Sequence, residues 1–383
     1  VRIARVEAIP FALPLRRAFR WNGLDQNLGN FVLVRVVTDT PHVGYGEATP
    51  LATWGGEHGR HGGETLDTVV SVVERVLGPW LKGRDPAAIT STVAEMDRLI
   101  VGHTYAKCAV DMALHDLWGK ALGVPVHQLL GGLARSSVAV AHMVGLMPVD
   151  DAVEEARAAC ADGIRALQIK GGEDAERDVA LIRRLRETLP DDVQLRLDAN
   201  QGYGQVKRAL RIAHELAQCG LDYLEQPVAS LWDLQAVTAS SDVPIVADES
   251  CWSARDALDL ARQRSADCIS IYLAKAGGIH AARRVAAVAE AADLPCDVNG
   301  SIESGIGNAA NLAFAIATRC VVMPSVIPVS APQGEHPCHV GGHYFDDDVV
   351  MRPFAFRDGA LLPLDGPGLG IEVDEAKLRK YAL

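Results

Sequence analysis

Basic runs, long apolar stretches and paired cysteines are all missing from this 383-residue chain. A formal charge of −12 with no Lys/Arg cluster argues against a nucleic-acid partner or an anionic membrane surface. No apolar stretch reaches the length needed to span a bilayer. The opening VRIARVEAIPFALPL lacks the apolar core and small-residue cleavage site of a secretion signal, so a cytoplasmic location is expected. The eight cysteines are scattered and form no CxxC pair, which argues against a disulfide framework or a zinc site and predicts reduced core thiols. Low-complexity segments and flexible linkers are absent too. What remains is 49% apolar with modest charge, an ordinary globular composition long enough for one barrel plus a smaller domain.

Against that background one pattern stands out. Four short apolar runs each close on a polar residue: Lys170 in ALQIKGG, Asp198 in VQLRLDAN, Glu225 in LDYLEQP and Asp248 in PIVADES. A helix-patterned segment lies between successive runs, so the unit reads as a strand followed by its crossover helix. Such a repeat predicts an α/β fold, a modified TIM barrel. Alternate residues of a strand face opposite ways, so Leu167, Ile169, Leu195 and Leu197 face the helices, while Gln168, Lys170, Arg196, Asp198 and Asn200 face inward. Three carboxylates and an amine therefore converge at the C-terminal mouth of the barrel. Like charges that close repel unless a cation sits among them, and all-carboxylate ligation suits a hard ion such as Mg2+. Three unrelated surface acids in βα loops are the alternative, and their recurrence at successive strand ends weighs against it.

Before the alternation begins, residues 1 to about 60 read as an antiparallel meander, followed by helical stretches at about 64–80 and 86–121. This predicts an N-terminal α+β capping domain over 1–124, the barrel over 125–340, and a segment at 341–383 that returns to the cap. The loops at 19–30 and 50–62 carry Trp21 and Trp54 and suit a lid or specificity wall; plain connectors are the alternative. His58 and His61 lack a third partner and are not read as metal ligands. VAVAHMV is the expected first barrel strand and CVVMPSVIP the last.

The ordered set AKCAVDMALHDLWGK, GVPVHQLLGG, IKGG, LDAN, LEQP, ADES, KAGGI, ESGIG and PGLGIEVDEAKL resembles the enolase superfamily, in its muconate-lactonizing and mandelate-racemase-like subgroups. That resemblance implies Mg2+ held by Asp198, Glu225 and Asp248, with Asn200, Gln226 and Glu249 orienting them. It also implies a Lys or His base, with Mg2+ stabilising an enediolate. Lys170 matches the second lysine of the family's KxK motif, the base for a proton α to a carboxylate. A homo-oligomer acting on a small carboxylate is implied as well.

Two departures stand beside those matches. The first lysine of KxK is Gln168, which removes a charge that would favour a neutral Lys170 amine. Where many relatives place an acid/base lysine on the sixth strand, this chain has Tyr272, and Lys275 beyond it is not read as a shifted replacement. A phenol donates a proton but is a poor base near neutrality. The expected catalytic set is therefore Lys170 and Tyr272, with Glu303 and Asn299 as helpers. The reading is dehydration of a small hydroxy or amino acid, with 3-hydroxy-L-proline as a named candidate. Cycloisomerisation and epimerisation on the same scaffold are the rivals, and a non-catalytic binding barrel is a third.

Overall fold

Alternating Val, Ile and Phe residues build the first layer, seen in a computed structural model that describes residues 1–24 and 28–383. Asp25, Gln26 and Asn27 of the first loop, and the His58 side chain, lie outside the described residues. Strands β1 (Ile3–Ala12), β2 (Asn30–Thr38) and β3 (Val43–Ala48) form an antiparallel meander in that order. The Thr104–Leu122 helix lies directly on β3. Glycine makes that approach possible: a Cβ on Gly46 would stand 1.9 Å from the Ala109 carbonyl oxygen, and one on Gly44 would stand 2.1 Å from that of Ala113.

Both expected cap helices are interrupted. The 86–121 stretch divides into Ile89–Leu99 and Thr104–Leu122, with His103 in the left-handed region at φ 53° between them. Buried Glu64 takes the place of a local cap there, accepting from the Tyr105 amide at 2.8 Å and the Ala106 amide at 3.3 Å. The 64–80 stretch runs as Leu66–Val72, a π-turn over Val73–Leu77, and Gly78–Leu81. Pro79, which has no N–H and crowds the preceding turn, accounts for the widened ladder.

Seven parallel strands form the barrel wall: β4 (Ala141–Val144), β5 (Ala166–Lys170), β6 (Gln194–Asp198), β7 (Tyr223–Glu225), β8 (Ile245–Ala247), β9 (Cys268–Ile271) and β10 (Cys296–Val298). They are hydrogen-bonded in sequential order, and a helix follows each strand on the outside. Side-chain caps start several of these helices, with Asp174, Ser230, Ser253 and Ser304 each accepting from first-turn amides.

CVVMPSVIP is not a strand. It closes the barrel through single bridges, Val321 to Cys296 and Ser325 to Val140, because Pro324 and Pro328 cannot donate to a ladder. The expected first strand also divides: Val138–Ala139 pairs with Ala360–Leu361, and only Ala141–Val144 joins the barrel. The chain's last helix, Glu375–Tyr381, reaches the cap, where Glu375 meets Arg35 at 2.7 Å and Tyr45 at 3.0 Å. Among the described residues no helix is long and apolar enough to cross a membrane.

Candidate active site

Register brings the polar strand ends together. Lys170 pairs with Asp198 across β5 and β6, Asp198 pairs with Glu225 across β6 and β7, and Asp248 follows β8 directly. Adjacent strands lie less than 5 Å apart, so these side chains form one inward row at the barrel mouth. Asp198, Glu225 and Asp248 are buried and each offers an oxygen within 4.8 Å of the others. Among the described residues this is the one group of three His, Cys, Asp or Glu side chains that could hold a metal ion.

Each carboxylate is bound by a cation through one oxygen. Lys170 Nζ lies 2.5 Å from Asp198 Oδ2, Arg196 Nε lies 3.1 Å from Glu225 Oε2, and Lys275 Nζ lies 2.5 Å from Asp248 Oδ1. Gln168 Nε2 donates to the same Glu225 oxygen at 2.8 Å, and Asp198 Oδ1 accepts from the Asn200 amide at 2.9 Å. Among the described residues, Glu225 Oε1 and Asp248 Oδ2 are left buried with no partner. Two orphaned anionic oxygens beside a third carboxylate fit a hard divalent cation such as Mg2+. Burial first, and then the neighbouring acids, push the Glu225 and Asp248 carboxyls up, a penalty that a bound cation offsets.

A layer of polar residues supports this row. Gln226 Oε1 accepts from the Asp248 amide at 2.9 Å and the Ser250 amide at 3.2 Å, fixing the turn after β8. Asn200 Nδ2 donates to Glu249 Oε1 at 3.0 Å, and burial raises the Glu249 carboxyl to about 8. Arg196 Nη1 also meets Asp297 Oδ2 at 2.5 Å. Parity turned Arg196 inward without suggesting its pairing to Glu225. Lys275, set aside as no replacement for the sixth-strand lysine, sits in the short Leu273–Ala276 turn, where strand parity says nothing of its pairing to Asp248.

The cavity above the row is small and open to solvent, and is lined by Trp21, Trp54, Met143, Lys170, Tyr272 and Ser301, among others. Lys170 Nζ lies 5.3 Å from the Trp21 ring centre. Burial pulls its ammonium down, but Asp198 and Glu225 outweigh that effect and hold its pKa above the ordinary lysine value. Tyr272 stacks on Trp54 with centroids 5.3 Å apart, and Lys275 Nζ lies 4.4 Å from the Tyr272 ring centre. Burial, reinforced by the three acids, drives the phenol well above its usual pKa, so it keeps its proton near neutrality.

Gln168, Gln226, Glu249 and Asn299 stand behind this wall. Asn299 Oδ1 accepts from the Gly300 amide at 2.9 Å, and among the described residues its Nδ2 has no partner. Glu303 also lies behind it: Gly300 and Ser301 line the cavity, while Glu303 Oε1 accepts from the Ser301 amide at 3.0 Å. His61 stacks on Trp252 with centroids 4.4 Å apart and, among the described residues, joins no group of possible ligands.

Comparison with known proteins agrees with this architecture. Residues 8–131 match the N-terminal domain family of mandelate racemase and muconate lactonizing enzyme, and residues 151–377 match the enolase C-terminal domain-like family. The chain is 35% identical over 382 residues to L-Ala-D/L-Glu epimerase of Bacillus subtilis, covering 97% of each protein. To muconate cycloisomerase 1 of Rhodococcus opacus it is 32% identical, covering 97% of this chain and 96% of that one. The crystal structure of N-succinyl Arg/Lys racemase from Bacillus cereus superposes with a TM-score of 0.90 at 26% identity, covering 100% of this chain and 98% of that one. The chain therefore belongs to the enolase superfamily, in its mandelate racemase/muconate lactonizing enzyme subgroup.

Proposed function

We propose that this protein is a one-base enzyme that removes the proton α to the carboxylate of a small substrate, with Lys170 as the base. The observation that carries this reading is the asymmetry of the site. An amine ends the strand on one side of the acidic row, and a phenol that holds its proton follows the strand on the other. A bound Mg2+ would supply the positive charge that makes so weak a carbon acid accessible to an amine. Asp198, Glu225 and Asp248 would hold it, while Gln168 and Arg196 keep one Glu225 oxygen occupied and turn the other toward the ion.

How the reaction ends has two readings. The named relatives are cycloisomerases, epimerases and racemases, which supports an isomerisation. A two-base epimerisation needs a second acceptor opposite Lys170, and Tyr272 does not suit that role. Cycloisomerisation by Lys170 alone does not meet this objection. Loss of a β-hydroxyl is the second reading, and Tyr272 favours it. Among the described residues its hydroxyl has no hydrogen-bond partner, so it is free to donate to a departing hydroxyl on the face opposite Lys170. A small hydroxy amino acid such as 3-hydroxy-L-proline is the substrate that tests it.

Proton NMR in deuterated water with Mg2+ separates these outcomes across hydroxyprolines, dipeptides, N-acyl amino acids, hydroxy acids and muconate. Loss of hydroxyl with appearance of a ketimine or keto acid marks the elimination, and a lactone marks the cycloisomerase. Lys170→Ala should lower α-proton exchange by about 10²–10⁴-fold. Exchange that persists at the wild-type rate removes Lys170 from the mechanism.

A further inference from the structure

The walls of the cavity define a substrate class more narrowly than the chemistry does. It is lined chiefly by the large side chains of Trp21, Leu51, Trp54, Met143 and Tyr272, which leave room for a small ligand. Among the described residues Lys170 is the only cation lining it, and Lys170 is already paired with Asp198. Arg196 and Lys275 are committed beneath the row to Glu225 and Asp248. A substrate carboxylate directed to the metal is therefore satisfied, whereas a second carboxylate would meet no counter-charge.

An ammonium group meets the opposite situation. Trp21 presents its ring face to the cavity, with the Lys170 ammonium already 5.3 Å from its centre. A positive group on the substrate gains from that ring face. Leu51 and Met143 complete an apolar wall that suits a short carbon skeleton.

From these features we infer that the substrate is a compact amino acid with one carboxylate and a free ammonium, primary or within a ring, seated against Trp21. Dicarboxylates and N-acylated amino acids are outside the class. The inference rests on the reading of the acidic row as the carboxylate-binding end, and it is tested by binding, separately from turnover.

The probes are L-proline and cyclopentanecarboxylate, which share a ring and a carboxylate and differ in the ring nitrogen, together with succinate. Calorimetry on the Mg2+-loaded wild-type protein should show L-proline binding about 10-fold more tightly than cyclopentanecarboxylate, with succinate weakest. Trp21→Leu should bring the first ratio toward one with Mg2+ affinity unchanged, and Trp21→Phe, which keeps a ring face, should restore most of it. Equal binding of the first two probes, tighter binding of succinate, or no binding of L-proline at millimolar concentration overturns the inference. A proline preference without α-proton exchange on any compound sinks the enolate reading and keeps the amino-acid pocket. Exchange on a dicarboxylate without that preference does the reverse.

Discussion

Tyr272 and Lys170 occupy equivalent places on either side of the acidic row, yet their environments drive them toward opposite tasks. Both are buried, and both face Asp198, Glu225 and Asp248. For the amine those acids outweigh burial and favour the charged form; for the phenol both effects favour the neutral form. Engagement of the acids by a divalent cation weakens the pull on the Lys170 ammonium, while burial alone still keeps the phenol protonated. Gln168 gives no electrostatic help, since it is neutral and spends its amide on Glu225 at 2.8 Å. The prediction at this scale is that Tyr272→Phe leaves α-proton exchange within about threefold of wild type and slows product formation roughly 10²-fold, as loss of a general acid does. Parallel NMR measurement of exchange and product formation checks it. Product formation at the wild-type rate would reduce Tyr272 to a wall of the cavity.

The element that follows the cavity-wall residues Gly300 and Ser301 is the Gly305–Ala317 helix, and acids from distant parts of the chain hold its start. Glu47 on β3 accepts from the Ser304 amide at 2.9 Å and from the Ser304 hydroxyl. Asp348 accepts from the Gly305 amide at 2.9 Å. The loop they anchor includes Ile302 at φ 60°, a strained conformation for a β-branched residue, and Ser301 in the cavity wall. Burial raises Glu47 to about 8 and both Glu303 and Asp348 to about 7. The folded protein therefore holds protons that the unfolded chain releases near pH 4–4.5. Their stabilising contribution is complete below that range and is lost as pH rises through about 7–8. Thermal melts of the Mg2+-saturated protein should show Tm falling between pH 6 and 9, and Glu47→Gln should flatten that fall. An identical slope in the variant would show that Glu47 does not titrate in the folded state. These links also mark a limit of sequence reading. Strand parity and polar strand ends made the acidic row and Lys170 legible, because both are local properties of a repeating unit. The Glu64 cap that starts the Thr104–Leu122 helix and the clamp on Ser304 join residues remote in sequence, so no local pattern announces them.

Across the whole molecule, the site belongs to no single segment. Trp21 and Trp54 come from the cap loops and the acidic row from the barrel, while Asp348 reaches in from the tail to the helix that follows the wall residue Ser301. The cap and barrel were legible because meander and βα repeat have different periods. The closing seam was not, since Pro324 and Pro328 turn an apolar run into a pair of isolated bridges. A row of three buried acids works against this assembly until its charge is neutralised, so metal binding should be coupled to stability. At 100 times the dissociation constant a ligand specific for the folded state adds about 2.7 kcal/mol. For a chain of this size that corresponds to a rise in Tm of about 3 °C. Differential scanning calorimetry of the chelated protein, titrated with Mg2+, should show that rise. Glu225→Gln should remove most of it, because the variant lacks the charge behind the orphaned Oε1 while Gln168 and Arg196 still face the side chain. A shift of the same size in the variant would place the ion away from Glu225, and the carboxylate-binding end of the cavity would have to be sought elsewhere.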